Sequence, residues 1–160
     1  MSSTEFRKMR RFKQALPYEE CEEILRGEPR GVLSVLGENG YPYGFPMDFV
    51  YEDGKLYFHC AKVGHKLDAL RACDRVSFCV MDRGYRKEGD WALNIRSVII
   101  FGRIRFIEDP EETIERVRHL GLKYYPTRES VEEEIRQAGA RVQILALTID
   151  HMTGKLVNES

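Results

Sequence analysis

Residues 43–51 read Tyr-Gly-Phe-Pro-Met-Asp-Phe-Val-Tyr, and their strict alternation constrains the fold more than any other stretch. A period of two belongs to a strand, because successive side chains leave opposite faces. Tyr43, Phe45, Met47, Phe49 and Tyr51 share one face; Gly44, Pro46, Asp48 and Val50 share the other. The bulky face must fill a core or a tight interface. The small face leaves room for a flat ligand to approach the backbone, and it equally suits a bulged edge strand. The residues alone leave both readings open.

The rest of the chain supplies partners for that strand. Further strands are expected at 31–36, Lys55–Ala61, Arg75–Met81, 92–107 and 141–150, each with apolar alternation or a continuous apolar run. Asn39-Gly40 is a hairpin signal, since both residues tolerate positive φ. Glu52-Asp53-Gly54 turns the chain again, and Gly102 permits a bend in the long strand. Helices are expected at 17–26, from Pro17 to a left-handed stop at Gly27, and at 65–71. Asp109-Pro110 opens another, ended by Gly121 and Pro126. Ser130-x-x-Glu133 has the capping-box pattern for a last helix to 138. Six strands with sparse helices predict a mainly β fold, a small antiparallel barrel with peripheral helices, in a single domain over 1–160. The polar loop 82–91 is expected either to cover a site or to be mobile.

Charge narrows the class of partner. The formal net charge is −1 with both signs interspersed, which argues against a nucleic-acid surface or a membrane surface. The cluster Arg7-Lys8-Met9-Arg10-Arg11 reads as a solvated or partner-facing arm. No apolar run approaches the roughly 20 residues that span a bilayer. Residues 2–13 are polar and charged, unlike a secretory leader. Cys21, Cys60, Cys73 and Cys79 form no C-x-x-C pair and sit in apolar patterns, so they read as reduced structural thiols in a cytoplasmic protein.

The chemistry concentrates at Ala61-Lys62-Val63-Gly64-His65-Lys66. A strand there delivers the chain to a helix start, where unpaired N–H groups and the dipole favour an anion. Lys66 adds a full charge and His65 an imidazole. We read this turn as a phosphate site. His59 precedes it on the less bulky face of its strand; His119 reads as a surface residue, and no histidine pair has metal spacing. P-loop, Gly-x-Ser-x-Gly and Gly-x-Gly-x-x-Gly patterns are absent, and no carboxylate pair suits acid–base work. An enzyme built this way must borrow its chemistry from a cofactor.

Three segments in order resemble one family: residues 41–49, residues 54–61 with Gly64-His65-Lys66-Leu67-Asp68, and Arg96-Ser97-Val98-Ile99-Ile100-Phe101-Gly102. The ending Asp150-His151-Met152-Thr153-Gly154-Lys155 has the same look. Together they resemble the pyridoxamine 5'-phosphate oxidase-like flavin proteins, and within them the nitroimidazole-resistance reductase branch. The resemblance implies a six-stranded split β-barrel that binds FMN at the interface of a homodimer. It implies flavin contacts from Pro46, Met47, Asp48 and Phe49, from His59, Cys60 and Ala61, from His65 and Lys66 at the phosphate, and from Ser97 with Arg96 and Val98. It also implies a small-molecule substrate and NADH or NADPH as donor. The arginine-rich strand and the Trp/Arg tail of true pyridoxamine-phosphate oxidases are missing, so pyridoxamine phosphate is not the expected substrate. Two rivals share the fold: a flavin-binding sensor or carrier without turnover, and a haem-binding split barrel using His59, His65 or His151.

Overall fold

The computed structural model describes residues 5–159. The first residues of the polar start, Ser2 to Thr4, lie outside them. Seven strands form one antiparallel sheet: β1 (Arg30–Leu36), β2 (Pro42–Asp48), β3 (Val50–Glu52), β4 (Lys55–Ala61), β5 (Arg75–Met81), β6 (Leu93–Ile107) and β7 (Val142–Glu159). Their order is β2-β1-β5-β6-β7-β4-β3. The two edge strands, β2 and β3, are therefore consecutive in sequence. The chain steps from one edge to the other at Phe49, and the sheet curls into a split barrel.

That step corrects the expected count of six. Residues 43–51 do not run as one strand, because the backbone of Phe49 bonds to a helix instead of to a neighbouring strand. Its N–H donates to the Tyr124 hydroxyl at 2.8 Å. Its carbonyl accepts from Lys123 Nζ at 3.0 Å. The Tyr124 hydroxyl also lies 2.7 Å from that carbonyl and 2.5 Å from the Pro29 carbonyl, either of which takes its one proton. Lys123 Nζ reaches the Glu28 carbonyl at 2.7 Å and sits 3.9 Å from the Phe49 ring centroid. Burial pulls the Lys123 ammonium down to about 8 and pushes the Tyr124 phenol up to about 12.

The alternation over 43–51 holds on both sides of this break. Phe45, Met47, Phe49 and Tyr51 are buried, with Tyr43 packed against the same core, while Gly44 and Pro46 are exposed. Phe78 meets Phe49 and Phe58 edge-on, with centroids 5.1 Å apart in each pair. A second, smaller core joins Tyr57, Ile107, Ile144 and Ala146 on the outer side of β4 and β7. β7 thus buries Leu145 and Leu147 inside the barrel and Ile144 and Ala146 outside it. It also runs to Glu159, well past the expected end at 150.

Gly102 marks the bend foreseen in β6. The β6–β7 register shifts there, and a Cβ would stand 2.3 Å from the Thr148 carbonyl oxygen. The turns behave as their residues require: Asn39, Gly40, Asp53 and Gly54 all take positive φ.

Four helices surround the sheet: α1 (Tyr18–Gly27), α2 (His65–Ala72), α3 (Pro110–Tyr124) and α4 (Arg128–Ala138). Asp109 caps α3 by accepting from the Glu112 N–H at 2.8 Å, as expected. Three expectations are corrected. Gly27 is the last helical residue and not a left-handed stop; the chain leaves through extended Glu28. α3 passes straight through Gly121, whose missing side chain lets α4 approach, since a Cβ would lie 2.9 Å from Val131. Thr127, not Ser130, caps α4, accepting from the Ser130 N–H at 3.1 Å.

Tyr124→Phe leaves the buried Phe49 N–H without a partner. It should lower unfolding stability by about 1–3 kcal/mol, the usual cost of one unsatisfied buried donor. Urea titration measures this directly, and an unchanged midpoint would show that the contact does not hold the seam.

Candidate functional site

β4 and α2 build the turn as its sequence suggests. Gly64 has φ 142° and ψ 174°, a backbone state that favours glycine, and nothing lies within 4 Å of where its Cβ would be. No side chain caps α2. Its first N–H groups therefore stay available to an anion. Lys66 folds back over β2, with Nζ 4.8 Å from the Phe45 ring centroid and 4.0 Å from Met47 Sδ. Among the described residues no carboxylate pairs with it. His65 stacks on Tyr43 with ring centroids 4.4 Å apart. The Cys60 thiol lies 3.8 Å from the Gln143 carbonyl; burial raises its pKa and the nearby Lys66 charge opposes the rise.

The expected site residues fall into three groups. Met47, Cys60, His65 and Lys66 gather where β2, β4 and α2 meet. Pro46, Asp48, His59 and Ala61 stand on outer strand faces around them; Asp48 pairs with Arg30 at 2.7 Å. His59 borders a cavity of about 90 Å³ under α3 and α4, with Val117, Leu120 and Tyr125. Lys62 borders a larger cavity of about 620 Å³ between Ile107, Pro110, Ile114 and Ile135. Phe49 and Val98 belong to none of the three, since their side chains are fully buried in the core.

Arg96 and Ser97 form the third group, away from the turn. Cys60 pairs with Gln143 on β7, whereas Ser97 pairs with Lys155. Twelve residues of strand separate those partners, roughly 40 Å of contour at about 3.3 Å each. Arg96 is already engaged: its guanidinium bonds Asp82 at 2.9 Å and Glu20 at 3.0 Å. These bonds pin the start of the 82–91 loop to β6 and α1. The loop leaves Trp91 79% exposed.

A model of the pyridoxamine 5'-phosphate oxidase family matches residues 17–156. The chain belongs to that family. No curated protein matches the sequence. Solved structures with the same fold include a candidate 5-nitroimidazole antibiotic resistance protein from Bacteroides thetaiotaomicron, with 22% identity, a TM-score of 0.76, and coverage of 91% of this chain and 87% of that one. A FAD-binding protein from Mesorhizobium loti has 21% identity and a TM-score of 0.69, over 90% of this chain and 97% of that one. A FAD- and haem-binding protein from Mycobacterium smegmatis has 23% identity and a TM-score of 0.73, over 90% and 73%. At these identities the likeness establishes the fold, a curled antiparallel split barrel.

Within this family member the other chemistry is scattered. Among the described residues no group of three His, Cys, Asp or Glu could hold a metal ion. His151 stacks on Phe6 at 4.6 Å and His65 on Tyr43, so the histidines stand apart. His119, expected at the surface, is partly buried between Glu52 at 3.0 Å and Glu115 at 2.8 Å. No described helix is long and apolar enough to cross a membrane. The four cysteines are free; Cys21 is buried, Cys60 and Cys73 are partly buried, and Cys79 is exposed.

Burial alone would raise the Asp82 carboxyl; bonds from the Arg96 guanidinium and from the Arg96 and Gly84 N–H groups outweigh it and hold the pKa below the ordinary range. A depressed carboxylate contributes stability above its unfolded pKa and loses it as pH falls through the folded value. The wild type should therefore lose stability as pH drops below about 4. Asp82→Asn should be less stable at neutral pH and show a flatter decline there. Parallel acid-unfolding curves would exclude this carboxylate from the acid response.

Proposed function

We propose that this protein is an FMN-dependent oxidoreductase of the nitroimidazole-reductase type, which reduces a small molecule with bound flavin supplied with electrons by NADH or NADPH. One observation carries the reading: the uncapped start of α2 and an unpaired Lys66 face the same turn. A phosphate monoester fits that pair, with backbone N–H groups for its oxygens and an ammonium for its charge. Gly64 leaves the approach open, and the exposed face of Gly44 and Pro46 offers bare strand to a flat ring. Bound there, a flavin would supply the hydride and electron transfer that no side chain here provides. In this reading His65 and Lys66 hold the phosphate. The backbone of residues 46–49 shapes the ring's bed, with His59 and Ala61 beside it, and Met47 and Cys60 support those strands from the core side. The flavin class is also favoured by the FAD-binding descriptions of the structural neighbours, while a single phosphate turn favours the mononucleotide. The nitroaromatic acceptor is favoured by the resistance description of the Bacteroides protein. Four free thiols suit a reducing cytoplasm.

Purified protein should be yellow or take up added FMN. Lys66→Ala should weaken FMN binding by about 1.5–3 kcal/mol, roughly 10- to 150-fold, through loss of a charge-assisted contact. Fluorescence titration reads the change, and unaltered affinity would remove Lys66 from the site. Stopped-flow mixing with NADH and NADPH separates an enzyme from a carrier, because a carrier's flavin stays oxidised.

We further propose a homodimer with the flavin at its interface. The outer faces of β1 and β5, beside the strand the arm covers, expose Val32, Cys79 and Met81, an apolar surface suited to a second copy. A partner would also bring Arg96 and Ser97 near a turn that their own chain holds far from them. Met81→Asp, at a side chain 62% exposed in the single chain, should convert dimer to monomer in light scattering and lower flavin content. A dimer that survives this change would move the interface elsewhere.

A further inference from the structure

We infer that the pocket beneath the N-terminal arm recognises a small, one-ring organic anion, the acceptor of the proposed flavin reaction, which the proposed homodimer would bring to the flavin held at the other copy's turn. The arm is anchored at two points. Phe6 stacks on His151 with centroids 4.6 Å apart and planes 5° from parallel, and on Phe101 at 5.7 Å and 12°. Further on, the Leu16 N–H donates to the Gly154 carbonyl at 2.8 Å and Ala15 bridges to Lys155. Between these anchors the arm crosses the outer face of β6 and β7. Beneath it lies a cavity of about 160 Å³ lined by Arg7, Met9, Ser97, Phe101, His151 and Lys155, with Thr153.

The lining sets the chemistry. Arg7, Lys155 and His151 all line this one small space, and among the described residues none of them pairs with a carboxylate. The nearest acidic neighbour in sequence, Asp150, is taken by Arg103 at 3.0 Å. Ser97 and Thr153 add hydroxyls. Met9, Ile99 and Phe101 form the apolar wall. Unneutralised donors beside an aromatic wall suit an anion carried on a flat apolar body. The volume sets the size, since it falls below the roughly 300 Å³ of sites that take drug-sized ligands. A tricyclic flavin ring is too large; a carboxylate on one ring is not. The basic arm thereby gains a specific task in place of general solvation.

The acceptor role rests on the flavin reading, but binding is tested apart from it. Benzoate and its neutral isostere benzamide are titrated calorimetrically into the purified protein. Benzoate should bind at least about tenfold more tightly than benzamide. The Arg7→Gln/Lys155→Gln variant should lose about tenfold in benzoate affinity with flavin content unchanged. Phe6→Ala, which unpins the arm, should weaken both compounds. Equal binding of benzoate and benzamide, no binding of either at millimolar concentration, or a double variant that binds benzoate as before would each overturn the proposal. Benzoate binding as described in a protein that takes up no flavin would overturn the flavin reading and the acceptor role while keeping the anion pocket.

Discussion

A lysine and a tyrosine on α3 hold the backbone of one residue, and the barrel depends on that grip. A sheet whose two edges are joined by a single peptide step cannot pair that step with either side. Phe49 is where the bonds of the sheet fail, and Lys123 and Tyr124 replace them. Backbone groups this deep need partners, and no neighbouring strand offers them here. The phenol and ammonium come from a helix, 75 and 74 residues further along the chain. The seam therefore couples the helical layer to the strand on which the proposed flavin ring would lie.

The same arrangement gives the candidate site its two walls. α2 packs Leu67, Ala69 and Leu70 into the core and so fixes the direction of its start. β2 supplies the floor, with Phe45 and Met47 beneath the Lys66 stem. A long cation lying along apolar side chains keeps its charged end free for a ligand. In the proposed homodimer a second copy would close the opposite side with the apolar outer face of β1 and β5.

Much of this was legible in the sequence, for identifiable reasons. The alternation over 43–51 named the buried residues correctly because one face of a curled sheet is always a core. Asn39-Gly40, Asp53-Gly54 and Gly64 were legible because their positive φ admits few other residues, and Asp109-Pro110 because a capping carboxylate followed by proline marks a helix start. What was hidden came from contacts far apart in sequence. Nothing local marks Lys123 and Tyr124 as partners of Phe49, and so one strand was read where there are two. Gly121 looked like a stop because its real reason, the approach of Val131, lies on another helix. The extent of β7 was missed because Asp150 to Lys155 is polar, and its pairing with β6 had to override that signal. Arg96 and Ser97 are neighbours whose side chains leave opposite faces of β6, one bonded to Asp82 and Glu20 and the other lining the cavity under the arm.

β7 has a role that its length alone would not reveal. It is the only strand that touches both β6 and β4, and it buries residues on both of its faces. Until it arrives, the β3–β4 hairpin has no ladder to join, and the inner and outer cores are both open to water. Such pairing between distant segments is slow to nucleate. A ribosome releasing this chain therefore holds an unfinished barrel until β7 emerges, and loss of its opening stretch, where Ile144 to Leu147 alternate between the two cores, would expose two apolar surfaces at once.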